Sequence, residues 1–322
     1  MRKMRLSAVA ALFVVLSLVG AACSNSSSSS TTGAGNGGSS AGANTACASA
    51  DMSAGDALAQ VCQSGTLRIA TDPKYKPQSW YDVKTGQWDG FDVAVANEIA
   101  SRLGVKPELQ AQKWDVITAG SWNDRWDVSV GSMTDTVDRE SLFYFTPAYY
   151  YTPASISVYK DNSTITGPAD LTGKTVCVGV STTYQDYVQG KLVLGASAPP
   201  FQFQITGANL QTYPTDTDAL DNQALGDGAR CDAAISAQQT IQAYIDAGGP
   251  IKIVGDPLYY EPLAIAFDKN DPKNAQSLSD AVGKIIEQMH TDGTLSALSQ
   301  KWYKGVDWTT AASGGGGSSS PS

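Results

Sequence analysis

A run of hydroxyl side chains precedes an arginine in the segment GSMTDTVDR. Ser132, Thr134 and Thr136 alternate along this segment, and Arg139 follows three residues later. A guanidinium is planar and can hold a carboxylate through two parallel hydrogen bonds. The pattern predicts a pocket for a small anion-bearing ligand that Ser132, Thr134 and Arg139 contact. The structural alternative makes Asp135 or Thr136 a helix cap and Arg139 a surface ion-pair residue.

A second group of hydroxyls lies in the segment VGVSTTYQDY. Ser181, Thr182 and Thr183 follow a predicted strand at residues 175–180, where the chain would enter a helix. Free backbone N–H groups and the helix dipole at such a junction favour a carboxylate. We therefore predict that these three residues contact the same ligand. Simple capping of the helix is the alternative, and it is compatible with binding because one cap can serve both purposes.

Alternating strands and helices are predicted to position these segments. TLRIAT reads as a strand that ends at Asp72-Pro73, and an amphipathic helix runs from Phe91 to Leu103 before Gly104. Further strands are predicted at 105–110, 126–130, 155–159, 175–180, 231–235 and 263–267, and further helical faces at 278–289 and 295–302. The pattern predicts an α/β fold with largely parallel sheets.

The composition excludes several classes of function. Lys and Arg total 22 against 31 Asp and Glu, which gives a net charge of −9 and argues against nucleic acid as a partner. The single histidine, His290, is insufficient for a multi-histidine metal site and is predicted to be a surface residue. We predict no metal and no cofactor.

The N-terminal residues 1–22 are predicted to be a secretory signal. Three basic residues precede the apolar run Leu6 to Val19, and small residues follow directly before Cys23. This arrangement resembles a bacterial lipobox, in which the cysteine is lipid-modified and becomes the first residue. The resemblance implies a lipid anchor at Cys23 on the outer face of the cell membrane, and plain secretion with a spare thiol is the alternative.

Two segments of low complexity flank the predicted folded region. Residues 23–50 are mostly Ser, Gly, Ala, Asn and Thr, and residues 309–322 return to a similar composition. Such segments bury too little apolar surface to offset the entropy lost on ordering. We predict a flexible tether at 23–50 and a flexible tail at 309–322.

Four cysteines remain for an oxidising compartment once Cys23 is assigned to the lipid. Cys47 and Cys62 flank one short segment at the start of the folded region, whereas Cys177 and Cys231 each lie in a predicted buried strand. We predict the pairs 47 with 62 and 177 with 231. Buried free thiols are the alternative.

Several motifs together resemble the family 3 extracellular solute-binding proteins. They are TLRIATDPKYKPQSWYD, GFDVAVANEIASRL, GSMTDTVDRESLFYFTPAYY, DLTGKTVCVGVSTTYQDY, RCDAAIS, EPLAIAF and DGTLSALSQKWY, in the order that the family has them. The resemblance covers about residues 66 to 304, and the motifs resemble those of polar amino-acid receptors of ABC importers.

The resemblance implies a type II periplasmic-binding-protein-like fold. In that fold two lobes, each a mostly parallel sheet flanked by helices, are joined by a hinge of two strands, and the ligand lies between them. Mapped onto this chain, lobe 1 comprises residues 66–152 and 262–308, and lobe 2 comprises residues 153–261.

The resemblance also assigns ligand contacts to residues of this chain. The arginine that matches Arg139 holds the ligand α-carboxylate in the family. Tyr75 matches a ring that lies over the ligand, and Trp114 matches another lining position. Trp80 is a neighbouring candidate for the aromatic wall, although an aromatic side chain is more often part of a core.

The chain departs from the family at the position that normally binds the ligand ammonium. In the family an Asp a few residues beyond the DAA strand has this role, and in this chain Ala237 stands there. A buried ammonium without a counter-charge is unfavourable. Either Asp135, Asp186 or Glu261 substitutes, or the ligand has no α-amino group.

The functional prediction is a lipid-anchored monomeric receptor that captures a small polar solute by hinge closure and presents it to an ABC permease. Two alternatives use the same fold. An exported dehydratase would need a carboxylate acid or base in the cleft, for which Asp135, Asp186 or Glu261 is available. A sensing or adhesion module would instead signal to a protein partner.

Overall fold

The computed structural model describes residues 45–310. Its strands are β1 Thr66–Thr71, β2 Lys74–Tyr75, β3 Ser79–Asp82, β4 Gln87–Asp89, β5 Lys106–Ala111, β6 Val128–Thr134, β7 Phe143–Phe145, β8 Tyr150–Tyr159, β9 Thr175–Gly179, β10 Asn209–Tyr213, β11 Ala233–Ala237 and β12 Ile251–Asp268. Its α-helices are α1 Ala57–Ser64, α2 Phe91–Leu103, α3 Trp114–Thr118, α4 Val137–Glu140, α5 Thr183–Val188, α6 Asp216–Gln223, α7 Gln238–Asp246, α8 Gln276–Thr291 and α9 Thr294–Trp302. Short 3-10 helices occupy Ala46–Ser49 and Pro168–Leu171.

Eight strands form one continuous hydrogen-bonded path in the order β10-β9-β11-β8-β12-β6-β1-β5, and β7 pairs with β12 beside this path. The short strands β2, β3 and β4 form a separate antiparallel sheet. At one end β1 pairs in parallel with both β5 and β6, and at the other end β9 pairs in parallel with both β10 and β11. The strands β8 and β12 lie in the middle and are antiparallel to each other and to their outer neighbours. The predicted α/β class with mostly parallel outer strands is confirmed.

Strands β8 and β12 each pass from one hydrophobic core to another. Tyr150 and Leu263 are buried in a core that also holds Leu67, Phe91 and Ile99. Farther along the same two strands, Ala154 and Tyr259 are buried in a second core that also holds Val176, Tyr187 and Ile235. We call the parts built on these cores the first and the second lobe. Two long strands therefore connect the lobes, as the fold class requires.

Helix α2 shows how the sequence fixes an element of the first lobe. Phe91, Val95, Ile99 and Leu103 recur every four residues and are all fully buried, so one face of the helix packs on the sheet. Gly104 ends the helix with a left-handed backbone, and its N–H donates to the Ala100 carbonyl. The predicted bounds of this helix are confirmed.

Several predicted boundaries are wrong. Strand β8 begins at Tyr150 and not at 155, β11 spans Ala233–Ala237 and not 231–235, and β12 extends over Ile251–Asp268, far beyond 263–267. The strand predicted from Trp126 begins at Val128, because Trp126 is buried against the Trp122 ring beside the sheet. The tether predicted for residues 23–50 extends too far, because residues 46–49 form a 3-10 helix. Cys47 in this helix is held by a disulfide and packs on the core of the first lobe.

The structure contains the two disulfides whose pairing the sequence predicts. Cys47 bonds to Cys62, which ties the 3-10 helix to α1. Cys177 of β9 bonds to Cys231, which directly precedes β11, and both sulfur atoms are buried within the second lobe. The second bond closes a separation of 54 residues.

The predicted signal segment and Cys23 lie outside the described residues, as does the tail beyond residue 310. Between residues 45 and 310, no helix combines the length and the apolar character that crossing a bilayer requires.

Candidate functional site

A cleft of about 490 Å³, a volume that includes its mouth, lies between the two lobes. Seven of the nine predicted contact residues line it: Tyr75, Trp114, Ser132, Thr134, Arg139, Thr182 and Thr183. The same wall carries three carboxylates, Asp72, Asp216 and Glu261. The lining therefore combines one guanidinium with three acidic groups, hydroxyls and aromatic rings. Contact of these residues with a ligand remains a prediction.

Arg139 is buried at the cleft and is not the surface residue of the structural alternative. Its Nη1 donates to the Thr134 carbonyl at 3.0 Å, and its Nη2 donates across the cleft to the Ser181 carbonyl at 2.9 Å. Burial lowers the pKa of Arg139, and the negative charge of Glu261 opposes that effect. The guanidinium therefore stays charged and keeps further N–H donors for an anion.

The Trp114 ring forms a wall beside this guanidinium. The Arg139 Cζ lies 5.5 Å from the ring centroid, a cation–π contact, and the indole N–H donates to the Ser181 carbonyl at 3.1 Å. Tyr75, from the short strand β2, lines the cleft. Trp80, also predicted for the aromatic wall, does not line this cleft, because its ring packs edge-on against Trp302 at 5.7 Å.

The hydroxyl of Ser132 is already bonded within the first lobe. It donates to the buried Asp92 carboxylate at 2.7 Å and lies 2.7 Å from the Tyr150 hydroxyl. Burial raises the pKa of Asp92 to about 6, and hydrogen bonds from Tyr149 and Ser132 oppose the effect. Ser132 itself has a left-handed backbone with φ of 56°. Asp92, which is buried behind the cleft wall, therefore fixes the orientation of the Ser132 side chain.

The hydroxyl-bearing residues Ser181, Thr182 and Thr183 of the second lobe have two roles, in helix capping and in contacts at the cleft. Thr182 caps α5 by accepting from the Gln185 N–H at 3.2 Å, and the Ser181 N–H donates to Gln185 Oε1 at 2.8 Å. Thr183 instead donates to Glu261 at 2.6 Å. Ser181 does not line the cleft, and it contributes its carbonyl oxygen to Arg139 and Trp114.

Glu261 lies at the point where β12 passes between the lobes. Its Oε2 accepts hydrogen bonds from Thr134 of the first lobe and Thr183 of the second. Its Oε1 is buried and accepts no hydrogen bond from residues 45–310. Burial raises the pKa of Glu261, whereas the hydroxyls of Thr134, Thr183 and Tyr184 and the positive charge of Arg139 lower it.

The other two carboxylates of the cleft face it from opposite lobes. Asp72 follows β1, accepts from the Lys74 N–H at 2.7 Å, and has its pKa raised to about 6 by burial. Asp216 is the first residue of α6, and burial raises its pKa to about 7. A hydrogen bond from Ser236 at 2.7 Å opposes that effect, while the negative charge of Glu261 adds to it.

Of the three residues suggested to replace the missing ammonium acceptor, only Glu261 lines the cleft. Asp186 instead lies 3.2 Å from the Lys191 ammonium. Asp135 lies outside the lining, near Gly195 of the second lobe. Ala237 ends β11 as a fully buried residue.

Sequence reasoning missed Asp72 and Asp216 as lining residues. Asp72 precedes a proline and reads as the end of a strand. Asp216 follows the cap residue Thr215, so it reads as an ordinary acidic first-turn residue of a helix. Both positions have a sufficient local explanation, and only the packing of the two lobes directs them to one cleft.

Comparisons with known proteins agree with this architecture. The L-cystine-binding protein TcyA of Bacillus subtilis is 29% identical over 77% of this chain and 85% of its own length. A probable amino-acid ABC transporter-binding protein of Haemophilus influenzae is 26% identical over 80% of this chain and 91% of its own length.

A solved structure shares the fold over most of the chain. The ancestral amino acid-binding protein AncCDT-1, described as a precursor of cyclohexadienyl dehydratase, superposes with a TM-score of 0.65 at 28% identity. The match covers 76% of this chain and 99% of that one.

These relatives are named for the binding of amino acids and not for catalysis, in line with the prediction of a binding protein. The model of the bacterial extracellular solute-binding proteins, family 3, matches residues 67–305. The chain therefore belongs to the bacterial extracellular solute-binding proteins of family 3.

Proposed function

We propose that this protein is the receptor of an ABC importer and captures an amino acid, or a related carboxylate-bearing solute, in the cleft between its lobes. The observation that carries the proposal is the placement of Arg139. Its guanidinium is buried in the cleft wall, contacts a carbonyl of each lobe, and retains N–H groups that neither carbonyl uses.

The chemistry of the guanidinium selects a carboxylate. A carboxylate accepts two parallel hydrogen bonds from one guanidinium, and charge-assisted bonds of this kind are about twice as strong as neutral ones. The adjacent Trp114 ring packs against the guanidinium, with the Arg139 Cζ 5.5 Å from the ring centroid. The relatives are named as binding proteins for L-cystine and for amino acids, and these names support the same ligand class.

Closure of the lobes follows from contacts that both lobes make with one ligand. Hydrogen bonds already cross the cleft from Arg139 and Trp114 to Ser181, and from Thr217 to the Lys74 carbonyl at 2.8 Å. A ligand that bonds to both sides favours the closed population over the open one. We propose the paired segments 151–153 of β8 and 260–262 of β12 as the hinge.

A lipid at Cys23 would hold the receptor at the extracytoplasmic face of the membrane, next to the permease that accepts the solute. A single acyl chain binds a membrane only weakly, so stable anchoring needs more than one chain. Intact-mass spectrometry of the protein purified from membranes tests this step. An added mass of acyl chains on Cys23 supports the anchor, and an unmodified secreted chain contradicts it.

The test of binding is a thermal-shift screen with amino acids, opines, polyamines and small organic acids. A ligand present at 100 times its dissociation constant stabilises the fold by about 2.7 kcal/mol. We expect a carboxylate-bearing compound to give the largest shift and its dissociation constant to rise in Arg139→Ala. A largest shift from a ligand without a carboxylate contradicts the proposal.

The importer role is tested separately by uptake. Cells that lack the gene are expected to lose high-affinity uptake of the identified solute, and re-expression of the wild-type chain restores it. Unchanged uptake in those cells would contradict the importer role and leave only the binding of the solute.

A further inference from the structure

Two of the three carboxylates of the cleft have a positively charged side chain nearby, and the third, Asp216, does not. Glu261 has Arg139 as its positive neighbour, and Asp72 has Lys74. The groups around Asp216 are the Gly179 N–H at 3.2 Å, the Ser236 hydroxyl at 2.7 Å and two negative charges, those of Glu261 and Asp72.

Asp216 therefore has no cationic partner among the described residues, although its exposure is only 5%. A buried carboxylate without a cation is unfavourable because it has lost its hydration. Since Asp216 lines the cleft, a cationic group of the ligand is well placed to supply the missing charge.

The backbone around Asp216 makes room for this carboxylate. Gly179, the last residue of β9, donates its N–H to Asp216 Oδ1, and a Cβ at that position would collide with the same oxygen. Thr215 caps α6 and accepts from the Asp218 N–H at 3.0 Å, which fixes the first turn of the helix. The fold thus holds Asp216 toward the cleft by two independent local features.

Asp216 also lies beside the position where the family has its ammonium acceptor. Its Oδ2 accepts from Ser236, the neighbour of Ala237 in β11. The loss of a carboxylate at Ala237 is therefore matched by a carboxylate on the adjacent helix α6. The unpartnered Oε1 of Glu261 lies in the same lining and provides a second free acceptor for a ligand donor.

We propose that Asp216 is the cation acceptor of this receptor, in place of the family position occupied by Ala237, and that its ligand carries an ammonium group as well as a carboxylate. This inference rests on the proposed function, because it assigns the second charge of a ligand whose first charge is bound by Arg139. It excludes organic acids without an amino group as the preferred solutes.

The test compares amino acids with their des-amino analogues. The probes are L-cystine with 3,3′-dithiodipropanoate, L-arginine with 5-guanidinopentanoate, and L-glutamine with 4-carbamoylbutanoate. Isothermal titration calorimetry with the full chain gives the dissociation constant of each compound for the wild type, Asp216→Asn and Asp221→Asn. Asp221 is the matched control, because it lies on the same helix, is exposed, and is absent from the lining of the cleft.

We expect the wild type to bind at least one amino acid about 10- to 100-fold more tightly than its analogue, the factor expected for one charged hydrogen bond. In Asp216→Asn this preference should fall to less than about threefold, with the analogue affinity unchanged, and Asp221→Asn should behave as the wild type. Asparagine can accept from the Gly179 N–H through its Oδ1 and donate from its Nδ2 to the Ser236 hydroxyl, which can rotate to accept, so the fold is retained.

Two results separate the inference from the proposed function. A wild type that binds an amino acid and its analogue equally, or an Asp216→Asn variant that keeps the preference, overturns the role of Asp216 and leaves the receptor intact. A wild type that binds none of the six compounds, together with none of the carboxylates of the thermal-shift screen, contradicts the proposed function itself. The wild-type comparison decides the inference even if the variant fails to fold.

Discussion

Replacement of Arg139 by alanine should abolish most of the affinity for the ligand that the screen identifies. The guanidinium is buried, and two of its N–H groups already bond to the Thr134 and Ser181 carbonyls. The remaining N–H groups are the ones that can hold the ligand carboxylate. Alanine removes all of these donors and also the positive neighbour of Glu261.

The magnitude follows from the number of charged hydrogen bonds lost. A bond to a charged group contributes about 1.5 to 3 kcal/mol, so the loss of two weakens binding by about 3 to 6 kcal/mol. At about 1.4 kcal/mol for each factor of ten, the dissociation constant rises by about 10² to 10⁴. Arg139→Lys keeps the charge but cannot form two parallel bonds, and we expect a loss of about 10- to 100-fold.

The assay is isothermal titration calorimetry of the wild type, Arg139→Ala, Arg139→Lys and Arg125→Ala. Arg125 is a matched control, because it also stacks on a tryptophan, with its Cζ 4.5 Å from the Trp126 ring centroid, but it is exposed and outside the cleft. The melting temperature without ligand, measured in parallel, separates lost binding from lost folding.

An unchanged dissociation constant in a folded Arg139→Ala protein would refute the role of the guanidinium. A loss of equal size in Arg125→Ala would also refute it, because it would show that the affinity depends on the stability of the first lobe and not on contact with the ligand.

Three further predictions concern stability and specificity. Asp216→Asn should raise the free energy of unfolding of the ligand-free protein by as much as about 4 kcal/mol at pH 8 and by little at pH 4. In the folded wild type the pKa of the Asp216 carboxyl is raised to about 7, whereas in the unfolded chain it is 3.8. Between these two pH values the folded state keeps a proton that the unfolded state has lost. The wild type therefore loses stability as the pH rises from about 4 to 7, and the asparagine variant does not. Urea unfolding at both pH values measures this difference, and an equal effect at the two would contradict it. Replacement of both Cys177 and Cys231 by alanine should lower the free energy of unfolding by about 4 kcal/mol, because the disulfide closes a separation of 54 residues. Denaturant unfolding under oxidising conditions measures this loss, and a loss under about 1 kcal/mol would contradict the prediction. Trp80→Ala should leave the dissociation constant within about twofold and lower the melting temperature, because Trp80 packs on Trp302 of α9 and not on the cleft; weaker binding without a lower melting temperature would restore Trp80 to the site.

The class of fold and one side of the site follow from patterns in the sequence alone. Apolar residues at every fourth position fixed α2, and Gly104 fixed its end, because these signals are local and depend on backbone geometry alone. The motifs and their order identified a family 3 binding protein, and Arg139 is its proposed carboxylate anchor.

The rest of the cleft depends on contacts between residues that are far apart in the chain. Trp80 and Tyr75 are only five residues apart, yet one ring packs on α9 and the other lines the cleft, and no local pattern distinguishes them. Asp72 and Asp216 are 144 positions apart and approach each other only because β8 and β12 bring the two lobes together. Local propensity describes the chain within a few residues, whereas the charge balance of a cleft depends on which distant side chains share a space without water. That physical difference explains why the sequence located the arginine and only the fold located the aspartate opposite it.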